Sequence, residues 1–174
     1  MPRKPPSYDV PNAAPEPLRL VQAFVNTINL ETGEDWLADW LADRGASAGD
    51  VEHARAVRES LRDLLYANNG QGAGGGAATI LTDAADAAAL SIDFSRPALA
   101  VRAPGVDGSV GRVLAAAYLA MLDGSWSRLK CCRNHGCRWA FYDYSKNRSA
   151  SWCSMQLCGN RTKTAAYRAR QVRR

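Results

Sequence analysis

At 174 residues, 47% of them hydrophobic and 22% charged, the chain can bury a core, and its length suits a medium domain with a small appendage. No stretch reaches the length of a membrane span, and two early bases with no apolar run behind them do not make a secretory signal, so the expectation is a cytosolic protein with no membrane partner. The net charge of +5 conceals a division: residues 124–174 hold twelve Lys and Arg against the single acid Asp143, net +11, whereas residues 1–123 hold ten bases and sixteen acids, net −6. Such asymmetry describes an acidic body carrying a tail that seeks a polyanion.

In chain order, the proline-rich residues 1–17 predict a flexible arm. Residues 18–28 (LRLVQAFVNTI) are apolar at both helical and strand intervals, which marks them as core and leaves the element open. Residues 34–43 place Trp36, Leu37, Trp40 and Leu41 on one stripe of an amphipathic helix that Gly45 stops, and the two tryptophans there are packing anchors. Asp50 is positioned to cap the next helix, whose Val51, Ala54, Val57, Leu61, Leu64 and Leu65 recur at helical spacing until Asn68, Asn69 and Gly70 end it; His53 on that helix is expected to be exposed. The run GQGAGGG has no base and is no phosphate loop, so it predicts a flexible connector. An Ala-rich helix over residues 77–90 follows, then SIDFS and ALAVRA as a short antiparallel hairpin, a turn over residues 104–108, and a buried helix over residues 110–122.

The last region concentrates the chemistry. Cys132, Cys137, Cys153 and Cys158 form two equal C-x4-C pairs fifteen residues apart, so that each pair supplies two adjacent corners of a tetrahedral zinc site and the loop between lets them meet. In a reducing cytosol such thiols point to metal and not to disulfides. With all four corners filled by sulfur the ion has no open position for water, so it is expected to be structural. Cys131 stays open as a spare small residue beside the site or an alternative ligand, with Cys132 preferred because the two pairs are then equal in spacing. His135, at Cys132-x2-His135, is an alternative ligand that four thiols make superfluous. Two histidines and one nearby acid do not assemble a hydrolytic site, and an enzyme is not expected. Between the pairs, RWAFYDY has the aromatic density of a hairpin, with Ser145, Lys146 and Asn147 for its turn, and Cys153 and Cys158 fall where a basic helix could begin. The expected plan is treble-clef-like: a thiol knuckle, a hairpin, a helix. On that helix Lys163, Arg170 and Arg174 align along one side.

Several motifs carry a resemblance: RLKxC at Arg128 to Cys132, CRWAFYD at Cys137 to Asp143, S-x-N at Ser145 and Asn147, WCSM at Trp152 to Met155, and CGNR at Cys158 to Arg161, together with F-x-NT at Phe24 to Thr27, WLADRG at Trp40 to Gly45 and RESLRDLLYANNG at Arg58 to Gly70. The chain resembles the CGNR-type zinc finger family, bacterial proteins regarded as stress-related transcription regulators. The resemblance implies a helical N-terminal domain of the ABATE type, zinc on the four cysteines, and DNA binding by the finger. Ala150 and Ser151 stand where relatives often carry bases before Trp-Cys, which shifts phosphate contact onto Arg161 and the tail.

The sequence therefore predicts a mainly α protein: a flexible arm over residues 1–17, a multi-helical regulatory domain with a short β-hairpin over residues 18–123, and a zinc finger with a basic helix over residues 124–174. The expected partner is DNA, touched by Arg148, Asn160, Arg161, Lys163, Arg168 and Arg170, with Asn160 able to cap the helix or reach a base edge. The acidic part would sense a small-molecule effector or form a homodimer. The alternative is a module that binds RNA or protein, with Trp139, Phe141, Tyr142 and Tyr144 as a stacking surface.

Overall fold

The computed structural model of the chain describes residues 12–46, 51–72 and 75–172. The ambiguous stretch at residue 18 becomes α1 (Leu18–Val25), because Leu18, Val21, Phe24 and Val25 then fall on one buried stripe. The chain next makes β1 (Ile28–Asn29), paired antiparallel with β2 (Glu34–Asp35). The helix expected from residue 34 therefore starts later, as α2 (Leu37–Ala42), with Asp35 Oδ1 accepting from the Leu37 N–H at 3.0 Å. The cause is tertiary: Asp35 is clamped by the buried Arg58 guanidinium at 2.7 and 3.0 Å. Trp40 and Leu41 are buried, Trp36 is half-buried, and Gly45 ends the segment at φ +74. The arm expected over residues 1–17 is packed in its last part, where Ala14 is buried; residues 1–11 lie outside the described residues.

α3 (Val51–Ala67) ends at Asn68 to Gly70 as expected, whereas its proposed cap, Asp50, lies outside the described residues. α4 (Ala77–Ala87) stops short of residue 90, since Leu90 already belongs to β3 (Leu90–Asp93), which pairs with β4 (Ala98–Val101) in the register Leu90↔Val101. The expected turn at residues 104–108 is instead the first turn of α5 (Gly105–Asp123), entered from Pro104. Gly111 lets α5 approach the hairpin, for a Cβ there would lie 2.6 Å from Ala88 Cβ and 2.8 Å from Val101 Cγ1. Contrary to expectation, α5 is long and apolar enough to cross a membrane by length and composition, yet Val110, Val113, Ala117 and Ala120 are buried and it packs on α1, α3 and α4 as a core helix. His53 is half-buried, not exposed, with Nε2 3.7 Å from Asp107 Oδ1 of α5.

A single 3-10 turn (Ser125–Arg128) leads into β5 (Leu129–Cys131), which pairs with β6 (Ala140–Tyr142); a π-helical turn (Met155–Gly159) then opens α6 (Asn160–Val172). The aromatic strand thus finds its partner upstream, across the first cysteine knuckle. It does not fold back through Ser145 to Asn147, which turn the chain after β6. Among the described residues the molecule has six helices and three two-stranded sheets, a mainly α architecture. One core runs from Phe24, Leu61 and Val110 through Trp126, Leu129, Cys131, Ala140 and Tyr142, so the acidic and basic regions share it. A second, small cluster gathers Cys132, Phe141, Cys153 and Cys158, flanked by Trp139 and Trp152.

Candidate metal centre

Alternation along a strand decides between the two adjacent thiols. Successive side chains of β5 point to opposite faces, so Cys131 enters the main core while Cys132 enters the small cluster. Burial pushes the Cys131 thiol up to about 12, which makes it an inert core residue. His135 is also turned away, its Nδ1 lying 3.1 Å from the Tyr66 hydroxyl of α3.

The four remaining sulfurs converge. The Sγ atoms of Cys132, Cys137, Cys153 and Cys158 all lie within 4.8 Å of one another, with Cys137–Cys153 at 3.6 Å and Cys153–Cys158 at 3.7 Å. A tetrahedron with Zn–S bonds of about 2.3 Å has edges of about 3.8 Å, so the spacing fits zinc. Backbone N–H groups of Asn134 and Cys153 point at the Cys132 sulfur and that of Trp139 at Cys137, while Asn134 Nδ2 lies 3.7 Å from Cys158 Sγ. Such donors favour thiolate, the form that binds metal. The proton balance makes the same demand. Thiol hydrogen bonds from Cys137 and Cys153 hold Cys132 down to about 2, whereas Cys137 and Cys153 are themselves raised because they act as donors to it. A divalent cation bound at the centre would favour thiolate at its ligands.

Local sequence explains why the knuckles form. At the end of the first, Arg138 takes φ +45, a left-handed conformation costing about 1 kcal/mol or more in a non-glycine residue. Three contacts fix it: its carbonyl accepts from Arg62 Nη1 at 3.0 Å, its guanidinium meets Asp63 Oδ1 at 2.6 Å, and it stacks 4.5 Å over the Tyr66 ring. At the second, Gly159 is required by close packing, since a Cβ would fall 2.3 Å from Met155 Sδ and 3.2 Å from Trp152 Cδ1. Ser154, not Asn160, caps the helical segment, its side chain accepting from the Leu157 N–H.

The residues that mount this centre escaped the sequence reading. Asn26 of the α1–β1 link bonds both polar groups of Ala140, accepting at 2.7 Å and donating at 2.9 Å, as a neighbouring strand would. Asn12 O accepts from the Tyr142 N–H, and Gln22 adds a bond to Ala140 O, so β6 is edged by side chains and the N-terminal segment. On the other side Asn68 donates to Trp126 O and Leu129 O, and Asn69 to Cys131 O and Ser151 O. Arg62, fully buried, reaches Glu59, Arg138 O and Val25 O. Within the finger, buried Lys130 donates to Asp143 Oδ2 at 2.7 Å and to the carbonyls of Arg148 and Ala150, while Arg128 holds the carbonyls of Asp143 and Ser145. Burial raises the Asp143 carboxyl, but bonds from Lys130 and Ser145 outweigh it and hold the group below its usual range.

Residues 128–171 match the CGNR zinc finger family. No curated protein matches the chain. The finger's geometry and the family match agree on a zinc-binding module whose ion is structural, closed by Cys132, Cys137, Cys153 and Cys158. Of the expected nucleic-acid residues, Asn160, Arg161 and Arg168 come together with Gln156, Leu157 and Thr164 along a shallow groove of about 370 Å³ at the start of α6. Lys163 is exposed beside it, and Arg170 falls further along the same helix. Arg148 is separate: it sits after β6 and donates to Ser127 Oγ at 2.8 Å. Arg161 is engaged by Glu31 of the β1–β2 loop at 2.6 Å, both side chains being exposed.

Proposed function

We propose that the chain is a transcription regulator that binds duplex DNA through the zinc-stapled finger, with α6 as the contacting helix and the acidic helical part, of the ABATE type, receiving a signal. The knuckle, hairpin and terminal helix are read as a treble-clef-like unit, and the ion as scaffold without catalytic part, since no corner of the sulfur tetrahedron is open. The observation that carries the reading is α6 itself: an acid-free helix with Arg161, Lys163 and Arg168 exposed, in the region of net charge +11. Arg161 and Arg168, beside Asn160, Gln156 and Thr164, combine phosphate-neutralising and base-reading side chains on one groove. Arg148, bonded to Ser127, and Lys163, off the groove, are assigned to backbone contact, as is Arg170 further along the helix. The rival RNA-stacking surface draws less support, because Phe141 and Tyr142 are buried and Trp139 half-buried, which leaves Tyr144 as the exposed aromatic of that set.

The test is fluorescence anisotropy of the zinc-loaded chain with labelled duplex DNA over a range of salt, with single-stranded RNA as competitor. Duplex binding should weaken steeply with salt, and R161A/R168A should flatten the slope by about two units, near one per lost phosphate contact. Absence of any salt-dependent duplex binding, or stronger competition by RNA, overturns the proposal.

A further inference from the structure

A cavity away from the four cysteines, none of which lines it, lies between α3, α4, α5 and the β3–β4 hairpin. It is an open pocket of about 440 Å³, within the range that holds small organic molecules. Its floor is apolar: Leu61, Leu114 and Ala117 are buried. Its rim leaves apolar surface in water, with Ile92 65%, Tyr118 51% and Met121 41% exposed, although a folded chain gains by covering such groups.

The charge of the lining selects the occupant. Among the described residues no Lys, Arg or His lines the pocket, and Asp86 is the one carboxylate that does. Among the described residues Asp86 has no ion-pair or side-chain hydrogen-bond partner, in contrast to Asp35, Asp63 and Asp143, each held by a base. On the hairpin side Arg102 is engaged with the lining Ser91 Oγ at 3.3 Å, whereas on the α4 side an anionic ligand would meet the carboxylate of Asp86. A ligand with an apolar, ring-bearing body and one positive charge would cover the rim, set its cation near Asp86, and use the Tyr118 ring as a further electron-rich face.

We propose that this pocket is an effector site for lipophilic organic cations. The inference rests on reading the acidic helical part as the signal-receiving half of the protein, and it deepens that reading by naming the ligand class. α5, which forms one wall, leads through the 3-10 turn into β5, and Cys132 follows directly on that strand.

The experiment uses the zinc-loaded full chain, without DNA, and two fluorescent probes of related ring system and opposite charge: rhodamine 6G, a lipophilic cation, and fluorescein, an anion. Rhodamine 6G should bind saturably with raised anisotropy and fluorescein should not. D86N should weaken rhodamine 6G about five- to tenfold, and A85F, which fills the pocket, should abolish binding; circular dichroism and zinc content unchanged in both variants would show that the fold is kept. Equal binding of the two probes, no binding of either, or binding indifferent to both substitutions overturns the proposal. So does sedimentation of the wild type as a dimer that A85F dissociates, because a second copy would then be the occupant. DNA binding is measured separately, so failure of one reading leaves the other standing.

Discussion

The two ends of the finger are attached in opposite ways. Its β5–β6 sheet and first knuckle are bonded to α1, α3 and the residues that follow them by buried Asn26, Gln22, Arg62 and Asn69 and by half-buried Asn68, each satisfying backbone carbonyls or N–H groups that no third strand covers. α6, by contrast, packs on the π-helical turn that begins it, and among its described side chains Arg161 pairs with Glu31 of the body, both exposed. Buried polar groups are costly to leave unpaired, whereas exposed pairs contribute about 0–1 kcal/mol. The lesson is a division of labour in which the ion and the body fix the sheet while the basic helix keeps its bases presented to solvent.

Substitutions should rank accordingly. Cys158→Ser, or chelation, removes the strongest tie, since metal contributes roughly 10 to 16 kcal/mol to structural zinc peptides; elemental analysis should fall from one equivalent of zinc towards none and the thermal midpoint should drop sharply. Arg62→Met comes next at about 3 kcal/mol, because Val25 O and Arg138 O lose their donor and the left-handed Arg138 loses a support, as urea unfolding would measure. Asn26→Leu should cost about 2 kcal/mol by leaving the Ala140 N–H unpaired and its carbonyl held by Gln22 alone.

Acid sharpens the comparison within the body. Burial raises Asp35, but hydrogen bonds from Arg58 and Leu37 prevail, so its folded pKa lies below the ordinary 3.8. A depressed carboxyl stabilises fully above the unfolded pKa and loses that contribution as pH falls through the folded value. The difference in stability between wild type and D35N should therefore be constant above about pH 5 and shrink below pH 4. Smallest of all, Glu31→Gln should change stability by under about 0.5 kcal/mol, since both partners of its pair are solvated.

What the sequence revealed tracks how local each cause is. Cysteine spacing discloses the site because two equal knuckles need only short loops, and α3 discloses its end because Asn68 to Gly70 interrupt a local periodicity. The equal spacing of the two pairs already favoured Cys132 over Cys131, but the partner of RWAFY lay on the far side of a knuckle, where pattern alone gives no direction. Glu34 and Asp35 read as helix because their pull into a strand comes from Arg58, twenty-three residues beyond Asp35. Nor does any periodicity announce that Asn26 acts as a strand substitute, or that RLK and FYD meet as Arg128, Lys130 and Asp143 to pin the loop before Trp152.

The amide of Asn26 knitted to Ala140 has a wider consequence. A finger sutured to its host cannot melt alone, so heating should yield one cooperative event for the entire molecule, and starvation for the ion would dismantle the helical half along with the sulfur cage.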